Sequence, residues 1–211
     1  MQDRYTGELG EFSKLGILRV LQAAGMSIGV NWYLTPDENH NSDGRHVNYL
    51  NQEEFRACDE TLWLELKSIV ENNHREVCYL ENENILRASF FSERLDFTGK
   101  MKSEREFFRK KWHNKALTAL AGNNIVCVDP DNGLIVPSAV GNPKENKYVL
   151  CNELADYYAQ QSSVIYYLHK ARKPDEFYLC QHKELIHDKS LLEFYKHRII
   201  VWIDEDQRFT D

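Results

Sequence analysis

The sequence predicts an α/β fold: one domain over residues 1–211, with a mostly parallel sheet flanked by helices on both faces in a Rossmann-like arrangement. Three observations predict it. Short, continuously apolar runs at 125–128, 163–168 and 199–203 read as strands buried on both faces, because a strand with one wet face would alternate. Segments with helical apolar spacing separate such runs, which is the pattern of a parallel sheet with crossover helices. The chain has 211 residues, enough for one large core, and no repeat, low-complexity tract or linker divides it.

The elements follow in order. A turn at 7–10 precedes a helix over 11–24, whose stripe is Phe12, Leu15, Leu18 and Leu21 and which Gly25 is placed to end. Residues 28–34, β-branched and aromatic, read as the first strand. A second helix covers 52–73, with Cys58, Leu62, Leu66 and Ile69 on one face. Residues 77–80 read as a short strand ending at Glu81. The stretch 82–101 has no clean period and stays unassigned, although it carries an apolar patch at 88–91. A helix over 103–121 opens with a capping-box pattern, Ser103 with Glu106, and closes at Gly122. Its buried stripe is Phe108, Trp112, Ala116 and Leu120. Helices over 147–160 and 174–187 then alternate with the last strands.

Composition narrows the function classes. Apolar residues at 42% and charged residues at 28% are those of a globular protein. The five cysteines, Cys58, Cys78, Cys127, Cys151 and Cys180, are odd in number and form no CxxC pair. That usage argues against a disulfide framework or zinc finger and for a reducing compartment. No apolar run approaches the ~20 residues of a membrane span, and no signal-peptide pattern opens the chain. The expectation is a cytoplasmic protein without a membrane partner; nothing fixes an oligomeric state. A net charge of −7 excludes nucleic-acid binding through bulk charge, so such a partner would need a local basic surface.

Five constellations could carry chemistry. The sharpest is Asp129, Pro130, Asp131, Asn132 and Gly133, directly after the strand at 125–128. Ligands of open α/β sheets bind outside the carboxyl ends of the strands. Two carboxylates ~6 Å apart repel by roughly 3 kcal/mol at an effective dielectric of ~20, so the pair needs a cation, an array of donors or one proton. An ordinary capped turn, screened by water, is the competing account.

The second is the polar loop 35–46, with Thr35, Asp37, Glu38, His40, Asp43, Gly44, Arg45 and His46. Its oxygens suit hard cations or ribose hydroxyls, but a solvated loop turning at Asp43 and Gly44 explains it as well. The third is Glu81, which could accept from a ribose or be a plain surface carboxylate. Fourth, His169, Lys170 and Arg172 form a basic strand exit able to hold phosphates. Fifth, the basic run 100–115 places Arg105 and Arg109 on one helical face, a candidate footprint for nucleic acid. Both basic segments are equally read as solvated surface.

With these residues in hand, the chain resembles the Rossmann-like, S-adenosylmethionine-dependent N6-adenine methyltransferases, the ribosomal-RNA type being the nearer comparison. Gly10, Glu11, Phe12, Ser13 and Lys14 open a helix before the first strand, and Asp129, Pro130, Asp131 and Asn132 stand where that family has Asp-Pro-Pro-aromatic. A helix, a strand and a basic exit follow in the family's order. The resemblance implies that Asp129 and the Pro130 carbonyl accept from an exocyclic amine. It implies S-adenosylmethionine as donor, with loop 35–44 near its amino-acid end and Glu81 near its ribose. The chain departs from the pattern at Asp131, at Asn132 and in lacking a glycine-rich loop after the first strand.

Three functions therefore stay open. One is a methyltransferase-like protein acting on nucleic acid or nucleotide. Another is a metal-dependent phosphodiesterase or nuclease, with Asp43, Glu81, Asp129 and Asp131 around Mg2+ or Mn2+ and Lys170 and Arg172 on phosphate. The third is a non-catalytic interaction protein that keeps an enzyme-like fold, in which the first-strand loop would fold over the site.

Overall fold

Among the described residues five strands, β1 (Ile28–Asn31), β2 (Ser89–Phe91), β3 (Ile125–Val128), β4 (Ser163–His169) and β5 (Ile199–Asp204), pair in parallel in the order β2-β1-β3-β4-β5. The computed structural model describes residues 1–38, 44–169 and 199–204. The helices are α1 (Leu9–Ala23), α2 (Glu53–Cys58), α3 (Glu60–Glu71), α4 (Lys102–Ala119) and α5 (Cys151–Ala159). Their placement confirms the α/β class and the Rossmann-like arrangement expected from the apolar runs.

Side chains of β3 show why its sequence is continuously apolar. Ile125 and Cys127 point into one core, with Phe12, Leu15 and Leu18 of α1 and Leu62, Leu66 and Ile69 of α3. Val126 and Val128 point into the other, with Trp112, Ala116 and Leu120 along α4 and Leu154 and Tyr157 of α5. A two-residue period across a sheet covered on both sides leaves no position for a polar residue until the strand ends at Asp129.

Several local readings are corrected. Residues 77–80 are not a strand: Val77–Tyr79 is a turn of 3-10 helix. Val77 and Leu80 are buried while Cys78 and Tyr79 are exposed, a period of three rather than two. The strand is instead β2, inside the stretch without a clean period. The helix over 52–73 is two helices. Asp59 breaks it at φ −155° and caps α3 by accepting from the Leu62 amide. Helix α4 starts one residue before the expected cap, and Glu104, not Glu106, closes back on the Met101 amide at 2.7 Å. The helix over 147–160 shortens to α5, since Pro143–Lys147 is 3-10. The expected helix over 174–187 lies outside the described residues. No helix among those described is long and apolar enough to cross a membrane.

Topology fixes where a ligand would sit. From β1 the chain first moves to β2 on one side and then returns to β3 on the other. The connections thus diverge between the carboxyl ends of β1 and β3, where open sheets of this kind form their crevice. The Asp129 amide donates to the Asn31 carbonyl at 2.9 Å, so the two strand exits lie side by side there.

Candidate functional site

Asp129 leaves β3 with its carboxylate turned towards α1. Lys14 Nζ lies 2.7 Å from Asp129 Oδ2 and 2.6 Å from Glu11 Oε1. The same ammonium stands 4.5 Å from the centre of the Tyr167 ring on β4. Glu11 and Lys14 are three apart, so the first turns of α1 present both on one side. Glu11 and Asp129 are 3% and 2% exposed. The second Glu11 oxygen, Oε2, is buried without a hydrogen-bond partner among the described residues.

The electrostatics follow from this packing. Burial lifts the Glu11 carboxyl to about 7; Lys14 opposes the lift and Asp129 adds to it. Burial also works against charge on Lys14, but Asp129 and Glu11 outweigh it and hold the ammonium well above the ordinary lysine range. A carboxyl near neutrality beside a second carboxylate can accept hydrogen bonds from an amino group and take up a proton from it.

Asp131 faces a different set. Its Oδ1 lies 2.5 Å from the terminal ammonium of Met1. Its Oδ2 accepts from Gln2 Nε2 at 2.6 Å and Thr35 Oγ1 at 3.4 Å, with Lys147 Nζ 3.5 Å away. Burial would raise this carboxyl, but the ammonium, Gln2 and Lys147 hold it below the usual carboxylate range. The Met1 ammonium also donates to the Asp129 carbonyl at 2.9 Å and the Tyr33 carbonyl at 3.3 Å. Repulsion between Asp129 and Asp131 is thus relieved by amines of the chain itself.

The two strand exits are covered as a result. Met1 and Gln2 are buried against them, while the buried Asp3 accepts from the Val77 amide and pairs with Arg94. The Thr35 amide donates to the Met1 carbonyl, and the Asp37 carboxylate accepts from the Arg4 amide at 3.3 Å. Gly44, at φ +90°, lies so close to this segment that an added Cβ would stand 2.7 Å from the Arg4 carbonyl oxygen. Only glycine fits there.

Thr35, Asp129 and Asp131 are therefore brought together. Pro130 is buried between the two carboxylates, whereas Asn132 is exposed and its amide donates to the Lys147 carbonyl. Glu81 stands apart, accepting from the Trp32 indole at 3.1 Å. Arg105 and Arg109 share a side of α4, but that side is turned inward rather than to solvent. Arg109 is turned inward, gripping Glu153 through two contacts of 2.7 Å and donating to the carbonyls of Glu145 and Tyr148. Arg105 is half-buried. His169 ends β4, in register with Asp204. Asp43, Lys170 and Arg172 lie outside the described residues.

Sequence reasoning assigned no role to Glu11, Lys14 or Tyr167. The signal was present in part: a lysine three residues after a glutamate at the start of the helix that precedes β1. The Tyr167 ring stands over the ammonium that Asp129 holds. The positions that the resemblance gives to the methyl donor do not fit it. Trp32 and Tyr33 are buried where a glycine-rich loop would stand, Met1 covers Thr35, and Trp32 occupies Glu81. Among the described residues no three His, Cys, Asp or Glu side chains group as metal ligands.

No family model matches the chain, and neither a curated protein nor a solved structure matches it.

Proposed function

We propose that this is a methyltransferase-like protein in fold whose crevice recognises an amino-bearing nucleobase, in a nucleotide or in nucleic acid. One observation carries the reading. An ammonium nitrogen, that of Lys14, is held between two buried carboxylates beneath a tyrosine ring at the carboxyl end of the central strand. An exocyclic amine entering there meets the same three groups once Lys14 swings aside: Asp129 and Glu11 as acceptors and Tyr167 as a face for the ring. A site built to accept from an N–H discriminates strongly against an analogue without it, because its acceptors are left unpaired.

The test is calorimetric titration with AMP and with IMP, which carries a carbonyl in place of the amine. AMP is expected to bind at least about tenfold more tightly, the equivalent of one charge-assisted hydrogen bond of roughly 1.4 kcal/mol. Equal affinity for the two nucleotides would remove the reading.

A second reading, recognition without turnover, is favoured by the burial of Met1 and Gln2 over the strand exits. S-adenosylmethionine separates the two. A ligand present at a hundredfold its dissociation constant adds about 2.7 kcal/mol, which is some 5–10 °C in Tm for a chain of this size. Met1 covers Thr35, where the donor's amino-acid end would lie, and leaves Lys14, Glu11 and Tyr167 to the base, so no shift is expected at millimolar donor; a shift would favour the catalytic reading.

A further inference from the structure

The basic run predicted as a nucleic-acid footprint does form a surface, but with residues other than Arg105 and Arg109. An open groove of about 810 Å3 runs between α4 and the edge strand β2, walled by Phe91, Phe107, Lys110, Lys111 and Lys115. Phe107 is 74% exposed, far more than burial would leave a phenylalanine that served only the core. Positions 107, 110, 111, 114 and 118 recur at steps of three and four, so they lie on the exposed side of α4 away from Trp112 and Ala116, with Lys115 and Ala119 at its edge. That face extends ~18 Å, at a rise of ~1.5 Å per residue.

Charge decides what the groove suits. Lys110 and Lys111 make no ion pair among the described residues, and Lys115 is held by Glu93 at 2.7 Å. Two exposed ammonium groups one turn below an exposed ring, on a chain of net charge −7, form a local basic patch. A helical acidic peptide would need apolar pockets at successive turns for its anchors. The groove offers two rings, the buried Phe91 of the edge strand and the exposed Phe107, and otherwise Asn114, Thr118 and Ala119, which give no series of apolar pockets at successive turns. A single strand needs only a ring for a base and cations for its backbone.

We propose that this groove binds single-stranded nucleic acid, with Phe107 stacking on a base and Lys110 and Lys111 contacting phosphates. The proposal extends the nucleobase reading of the Asp129 site and rests on it for the class of partner. Fluorescence anisotropy with a labelled oligothymidylate about 15 nucleotides long tests it, a length at the upper end of single-strand site sizes. Micromolar binding is expected, at the tight end of the non-specific range. Phe107→Ala should weaken it roughly tenfold. Lys110→Gln with Lys111→Gln should flatten the dependence of log affinity on log salt by about 1.4, or ~0.7 for each phosphate left without its lysine. All three side chains are exposed, so Tm should hold and the AMP titration should be unaltered in these variants. Wild-type affinity and salt dependence in the variants would overturn the groove, as would binding of an acidic amphipathic peptide but not of the oligonucleotide. Equal affinity for AMP and IMP would sink the Asp129 reading and leave this measurement standing on its own.

Discussion

Replacing Arg109 by methionine is expected to lower the unfolding free energy by about 3–5 kcal/mol, the range found when one member of a buried ion pair is removed. Arg109 is 4% exposed and Glu153 is 2% exposed. Without the guanidinium, Glu153 keeps the Tyr33 hydroxyl at 3.0 Å and the Leu150 amide at 2.9 Å but has no counter-charge. The carbonyls of Glu145 and Tyr148 are left without that donor as well. At ~2–4 °C per kcal/mol for a chain of this size, Tm should fall by roughly 6–20 °C. A loss below about 1 kcal/mol in urea unfolding would show that the pair is not holding α4 to α5. The double change Arg109→Met with Glu153→Leu should recover much of the loss, because an apolar pair of similar volume needs no counter-charge.

Lys14→Met is the second large effect, and it carries a pH signature. The substitution leaves Glu11 and Asp129 facing each other in the core without their cation. At pH 8 the expected loss is again about 3–5 kcal/mol. Near pH 5.5 it should shrink, since Glu11 then takes a proton and the repulsion ends. The unaltered chain already shows the underlying slope. Glu11 titrates near 7 when folded, against the ordinary 4.5 when unfolded. Between these values the folded state binds the extra proton, so this carboxyl contributes stability that falls as pH rises from 4.5 to 7. Asp131 and Glu153 act in the opposite sense, because their carboxyls are held low: their contribution is lost as pH falls through and below the ordinary carboxylate range. Urea unfolding of the wild type and Glu11→Gln between pH 5 and 7.5 isolates the Glu11 contribution, which is worth on the order of 3 kcal/mol. Parallel curves for the two proteins would contradict the burial of an ionisable Glu11.

What could be read from the residues and what could not divide on physical lines. Strands β1, β3 and β4 announce themselves because both their faces are buried, and both faces must then be apolar. β2 does not: it is three residues long at the sheet edge, with Ser89 exposed, Phe90 half-buried and Phe91 buried. Residues 77–80 misled because four apolar-looking residues cannot distinguish a period of two from a period of three. Asp59 was hidden inside a helical pattern that continues on both sides of it. At the site, the position of Asp129 at the end of β3 follows from local sequence and topology. Its partners do not. Lys14 is 115 positions away from it and the Met1 nitrogen 128 from its carbonyl, contacts that only the assembled sheet creates. The same holds for Arg109: a helical wheel puts it beside Arg105, but Glu153, 44 residues on, decides that it turns inward.

The docking of Met1 against Asp129 and Asp131 also sets an order of events during synthesis. At roughly 5–20 residues per second, the 128 positions between Met1 and Asp129 take about 6–26 s to make. For that interval Met1 and Gln2 have Tyr33, Thr35 and Glu38 beside them but neither Asp129 nor Asp131, and β1 has no β3 beside it. Lys14 likewise has Glu11 but not yet Asp129 in that interval. Met1 is thus locked by a residue made 128 positions after it, and any ligand of the growing sheet has that window before the exits are covered.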